Sequence, residues 1–305
     1  MNIQNSELIL NADGSIYHLN LKPTHIATDI IFVGDQNRVD KVTQHFDTIE
    51  FTTQKREFKT TTGTYKGKRL TVISTGIGPD NIDIVLNELD ALVNIDLKTR
   101  HVKKTHTQLN ITRIGTSGSL QADIPVNSFL LSTHALDLNG MLHSYQITAI
   151  SHPEIENAFV KHTNWNTEKA SPIIIANSTF LEDKLSSEIT SEINSGITSN
   201  IHSTRVYKGI TATAGGFYGP QGRVLRLPLQ DATLNNKIDS FEYQNNRITN
   251  LEMETSAIYG LSKLLGHNAV SMNAIIANRA TGDFSENPEK ITADLIIYTL
   301  NKLVQ

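Results

Sequence analysis

The chain has no cysteine among its 305 residues. That excludes disulfides, thiolate nucleophiles and cysteine-based zinc sites, so any metal would fall to histidines and carboxylates. Long apolar runs are also missing, and none approaches the roughly 18 residues that cross a bilayer. Near the N-terminus the apolar stretch Leu8 to Leu10 is flanked by Asn11, Asp13 and Gly14, too short for a signal peptide. A cytoplasmic location is expected, with no membrane partner. Charge of one sign is not in excess: 27 basic and 31 acidic residues leave a net charge of -4. Nucleic acid is therefore not an expected partner, and any anionic ligand must be gripped locally. With no linker rich in Pro, Gly or Ser, no low-complexity tract and no convincing repeat, residues 1–305 read as one α/β domain.

Short β-branched runs are each handed on to a glycine turn: Ile30 to Val33 into Gly34, Leu70 to Ile73 into Gly76, and Ile111 to Ile114 into Gly115. Each is expected to be a buried strand ending in a loop. Further strands are expected at Phe129 to Leu131, Ile173 to Ala176, Ile210 to Thr213 and Ala269 to Ala277. Ile82, Val85, Leu86 and Leu89 fall on one face of a helix. Thr255 to Leu265 predicts another, ended by Gly266. Asn287 as cap and Pro288 at the first helical position open a last helix. The polar stretch 95–109 is expected to be a solvated loop, and the Ser-rich stretch 183–205 gives no clear pattern.

Four constellations could carry chemistry. Gly34-Asp35-Gln36-Asn37-Arg38 stands where a strand passes into a helix: backbone amides, the helix dipole and a guanidinium could hold an anion there, though a bare turn also needs Gly and Asp. Arg113-Ile114-Gly115-Thr116-Ser117-Gly118 sets an arginine in an apolar run, where it needs an anionic partner, either a carboxylate or a ligand. In Phe217-Tyr218-Gly219-Pro220-Gln221-Gly222-Arg223 an aromatic face precedes an amide and a guanidinium, which suits a flat heterocycle. Glu252-Met253-Glu254 precedes the Thr255 helix; its carboxylates could accept from a sugar diol or simply favour the helix dipole.

Together, in this order, the four resemble the nucleoside phosphorylase family, and the uridine-cleaving branch in particular. Arg56-Glu57-Phe58 and Ser74-Thr75-Gly76-Ile77-Gly78 add to the likeness, while Gln36 replaces the proline usual in the family's Gly-Asp-Pro-x-Arg loop. The resemblance implies a three-layer α/β/α sandwich around a central mixed, partly barrel-like sheet. It implies phosphate held by Gly34, Arg38, Arg113 and Thr116, with Arg56 reaching in from a partner subunit. The nucleoside would meet Ile77, Phe217, Gln221, Arg223, Glu252, Met253 and Glu254, and His18 of a partner subunit at the 5'-hydroxyl.

The implied reaction is phosphorolysis of a pyrimidine nucleoside such as uridine in at least a homodimer. Arg223, Gln221, Glu254 and Arg113 would carry it, with inorganic phosphate as co-substrate and no cofactor or catalytic metal. Purine-cleaving relatives typically have Ser-Asp after the late strand, whereas this chain has Asn278-Arg279. A purine nucleoside phosphorylase, a hydrolytic nucleosidase and a nucleoside-binding protein without turnover are the alternatives.

Overall fold

The computed structural model describes residues 2–168, 170–186 and 205–305; most of the Ser-rich stretch, 187–204, lies outside the described residues. Along the chain run β1 (Asp29–Val33), α1 (Gln36–Thr43), β2 (Thr48–Lys55), β3 (Phe58–Tyr65), β4 (Lys68–Ser74), α2 (Pro79–Asn94), β5 (Ile95–Asp96) and β6 (His101–Val102). They are followed by β7 (Asn110–Ser119), β8 (Phe129–Asp137), α3 (Pro153–Thr163), β9 (Ile173–Ala176), α4 (Thr179–Ser186), β10 (Val206–Thr213) and α5 (Leu234–Asp239). The last elements are β11 (Glu242–Tyr243), β12 (Asn246–Glu252), α6 (Thr255–Leu264), β13 (Asn268–Asn278) and α7 (Pro288–Val304).

Strand β1 shows why the layers form. Successive side chains of a strand point to opposite faces. Ile30 and Phe32 join one core with Ile82, Val85, Leu86 and Leu89 of α2 and Ile258 of α6. Ile31 and Val33 join another with Val39 and Val42 of α1 and Leu295 and Ile296 of α7. Helices thus cover both faces of the sheet, and each fully buried Leu or Ile adds about 1.5–3 kcal/mol. The expected caps form: the Asn287 side chain accepts from Lys290 N at the head of α7, and Gly266 is left-handed after α6.

The main sheet runs β11-β12-β10-β8-β13-β7-β1-β4-β3-β2, with β9 added to β8. Because β12 also pairs with β7, the strands β7, β13, β8, β10 and β12 close into a ring. This is the barrel-like part of the sheet.

The expected turn at Gly115 is corrected: β7 continues through Gly115 to Ser119, paired with β13 along its length and with β12 at its end. The glycines here make room for side chains. A Cβ at Gly115 would stand 1.9 Å from Arg113 Nη1. Thr116 is therefore a strand residue. In the stretch 95–109, β5 and β6 form a small ribbon, and the exposed remainder is tied down where Thr107 N donates to Asn94 Oδ1 at 2.7 Å. An N-terminal arm that the sequence did not announce packs Leu8, Ile16, Leu19 and Leu21 into the α2 core.

Candidate active site

Parallel pairing places Val33 of β1 beside Ser74 of β4 and Ile114 of β7, so the turns after β1 and β4 open beside the middle of β7. Asp35 caps α1, accepting from Arg38 N at 2.9 Å, and its other oxygen lies 3.1 Å from Arg38 Nη2. Arg38 Nη1 reaches the Ile114 carbonyl at 3.4 Å. Burial and the nearby Arg113 charge lower the Arg38 pKa, partly offset by Asp35 and Glu254. Two guanidiniums, the Gly34 turn and half-buried Thr116 thus share one edge of the sheet, a setting that favours an anion.

Arg113 is buried and fully engaged. Its Nη2 lies 2.6 Å from Glu254 Oε2 and 3.0 Å from Glu252 Oε2, and its Nη1 donates to Asn273 Oδ1 at 2.8 Å. Of the two partners its sequence environment allowed, the carboxylates are the ones present. Burial alone would depress this guanidinium, but Glu252 and Glu254 outweigh it and raise its pKa. Glu252 also accepts from Thr213 Oγ1 and from the amides of Glu254 and Thr255, so it is satisfied on all sides. Glu254 accepts from Gly78 N at 2.9 Å, which joins the turn before α2 to the turn before α6. Gly78 has φ of 104°, a conformation open mainly to glycine. Burial, then Glu252, push the Glu254 carboxyl up against the pull of Arg113 and the Gly78 amide.

The aromatic loop folds on itself, so that a guanidinium, where a heterocycle was expected, covers one face of Phe217. The Arg223 guanidinium lies 3.8 Å from the Phe217 ring centroid, and Arg223 Nη1 donates to Gln221 Oε1 and to the Phe217 carbonyl, both at 2.6 Å. Gln221 is buried, with Nε2 3.4 Å from the Glu252 backbone carbonyl, so the loop is tied to the end of β12. Tyr218 and Arg223 also line a groove of about 990 Å³ walled by Leu138, Trp165, Leu225 and Leu227. Arg279, just beyond β13, packs over Gly118; burial and the Arg223 charge pull its pKa down to about 10.

A family model of the phosphorylase superfamily matches residues 28–300. The chain belongs to that superfamily. The Thermococcus kodakarensis uridine phosphorylase is 27% identical over 281 residues, 92% of this chain and 84% of that one. The Listeria welshimeri DeoD-type purine nucleoside phosphorylase is 23% identical over 292 residues, 94% of this chain and 99% of that one. Among solved structures, a Trypanosoma brucei nucleoside phosphorylase described as showing uridine phosphorylase activity superposes with a TM-score of 0.87 at 28% identity, covering 97% of this chain and 99% of that one. The fold described above therefore agrees with that superfamily.

Within this superfamily member, other expected site residues lie at the margin. Ile77 is 67% exposed at the mouth of the α2 turn, Phe217 is half-exposed, and Met253 is half-buried beside the carboxylates. Arg56 is exposed at the tip of the β2–β3 hairpin. His18 is anchored to α2, its Nδ1 2.6 Å from Glu88 Oε1. Neither Arg56 nor His18 meets the Arg113 network within this chain. Asn273, Thr213, Gly78 and Arg279 were not foreseen as site residues. An asparagine inside the apolar run Ala269 to Ala277 was the signal that could have found Asn273.

Asp90, His106 and His267 also gather within 4.8 Å, in a set that could suggest a metal. His267 Nδ1 accepts from Leu109 N at 3.2 Å, which puts the neutral ring's proton on Nε2, facing Asp90 Oδ1 at 3.3 Å. A ring holding its proton on that side offers no lone pair to a cation, although Nε2 makes no well-aligned hydrogen bond to the carboxylate it faces.

Proposed function

We propose that the protein cleaves uridine by phosphorolysis, giving uracil and ribose 1-phosphate. The observation that carries this reading is the run of contacts from Arg223 and Gln221 to the Glu252 backbone and from the Glu252 and Glu254 carboxylates to Arg113, with Arg38 beside it on the Ile114 carbonyl. Phosphate would sit at the sheet edge against the Gly34 amide, Arg38 and Thr116, held below the anomeric carbon so that attack becomes a positioned step. Arg113 would offset part of the negative charge of the two carboxylates that face this anion. Glu254 would accept from a ribose hydroxyl, with Glu252, already satisfied, holding the turn that presents it.

A phosphate oxygen then forms its bond to C1' as the C1'–N1 bond breaks, and the bonding pair leaves with uracil. Gln221 and Arg223, with Arg279 behind them, suit negative charge on the departing base, which later takes a proton from water. Two guanidiniums at that edge favour a pyrimidine leaving as an anion over a purine needing protonation at a ring nitrogen. The reaction asks for no cofactor or metal. We assign the working unit as a homodimer, in which His18 and Arg56 serve the partner's site.

Release of uracil from uridine by the purified protein, with and without inorganic phosphate and beside inosine and adenosine, tests the reading. Uracil is expected only with phosphate. Equal release without it would mean a nucleosidase, preference for inosine a purine enzyme, and binding without turnover a nucleoside-binding protein.

A further inference from the structure

The turn joining β2 to β3 holds a residue its backbone disfavours. Lys55 and Phe58 are paired, so Arg56 and Glu57 form a two-residue hairpin turn in which only Arg56 has a positive φ, 55°. That pattern belongs to the type II′ turn, whose first central position favours glycine. An arginine kept in a glycine's seat points to a use for its side chain. Among the described residues no carboxylate lies within ion-pair distance of the exposed Arg56 guanidinium.

The tip is held from behind by two side chains, Gln36 at Arg56 and Ser74 at Glu57. Gln36 Nε2, in the first turn of α1, donates to the Arg56 carbonyl at 2.6 Å, and Gln54 Nε2 donates to Gln36 Oε1 at 3.1 Å. Further back, Lys59 Nζ meets Asp40 of α1 at 2.6 Å, and Ser74 Oγ donates to the Glu57 carbonyl at 2.6 Å. A proline at position 36 has no donor and could not make the contact to Arg56.

We infer that Gln36 is a positioning residue for Arg56: it ties the hairpin carrying that arginine to the phosphate loop of its own subunit, so that the guanidinium is presented ready for phosphate. This rests on the phosphorylase reading, in which Arg56 serves the phosphate site of a partner subunit. The contact uses a side-chain amide of the right length, so shape without a donor does not replace it.

A double-mutant cycle tests this, with phosphate binding read by calorimetry on the full chain and phosphate KM and kcat read from uridine phosphorolysis. Arg56→Gly relieves the turn while removing the guanidinium; the melting temperature is expected to hold or rise while phosphate KM rises about tenfold or more. Gln36→Met keeps length and loses the donor, and is expected to raise phosphate KM about threefold with kcat nearly unchanged. In the Arg56→Gly background, Gln36→Met is expected to add nothing. An equal effect of Gln36→Met in both backgrounds would mean that it acts on its own loop, and no effect in either would mean that it positions nothing; both overturn the inference. A wild-type protein that binds no phosphate and releases no uracil would sink the phosphorylase reading itself, a distinct result.

Discussion

The two halves of the site are built from different material. Around Arg113, Glu252 and Glu254 the charged side chains are buried and held by partners from other elements, β10, β13 and the turn before α2. Around Phe217 and Arg223 the contacts stay within one loop apart from Gln221 at the Glu252 carbonyl and Asn235 at the Gly222 carbonyl, and the chain just beyond it exposes Leu225 by 79% and Leu227 by 74%. Charge pairing is therefore part of the fold, whereas the loop proposed to meet the base is a surface segment joined to the core through Gln221. Substitutions in the first half should damage fold and activity together. Those in the second should damage activity alone.

Arg113→Met should give the largest effect. It leaves two buried carboxylates without their cation, a loss of about 3–5 kcal/mol in urea unfolding, and it should abolish phosphorolysis. If stability were unchanged, the ring would not depend on its ion cluster and the comparison would fail. Arg223→Ala should lower uridine turnover by about 10²–10³ while leaving the unfolding midpoint within about 0.5 kcal/mol of wild type. An equal loss on a purine nucleoside would detach this residue from base recognition.

The smallest expected effect concerns His134 on β8, a titratable ring in the barrel but away from the site. Burial, His152 and Lys263 pull its pKa from 6.5 to about 4. As pH falls below 6.5 the unfolded chain takes up this proton before the folded one, so stability present above pH 6.5 is lost as pH drops toward 4. His134→Gln should flatten that part of the stability profile without changing the ratio of uridine to purine turnover. A slope unaltered by the substitution would show that other groups set the acid limb.

Much of this was legible because it depends on local pattern. Apolar runs marked β1, β4 and β13, and the cap and proline at Asn287-Pro288 marked the start of α7. Gln221 and Arg223 are two residues apart, and the turn that joins them is encoded in the same short segment. What stayed hidden depends on distant partners. Gly115 looked like a stop because a lone glycine after an apolar run usually is one; it is a strand residue here because Arg113 folds over it and β13 continues the pairing. The N-terminal arm was equally opaque, since its anchor, Glu88 accepting from the His18 and Leu19 amides, sits about 70 residues away. Gln36 could be seen as a departure from a family pattern, but its reach to the hairpin could not.

The ring also sets a timetable. Arg113 and Glu254 are 141 positions apart, and β12 must pair with β7 before the ring closes. As the chain emerges from the ribosome, the β1–β7 half can gather its helices early, but the guanidinium inside it lacks its counter-charges until β12 and α6 have been made. Contacts so far apart in sequence form slowly. Assembly of the site thus belongs to the last stage of folding, and a nascent chain stopped before residue 252 would hold Arg38 and Arg113 without the carboxylates that balance Arg113.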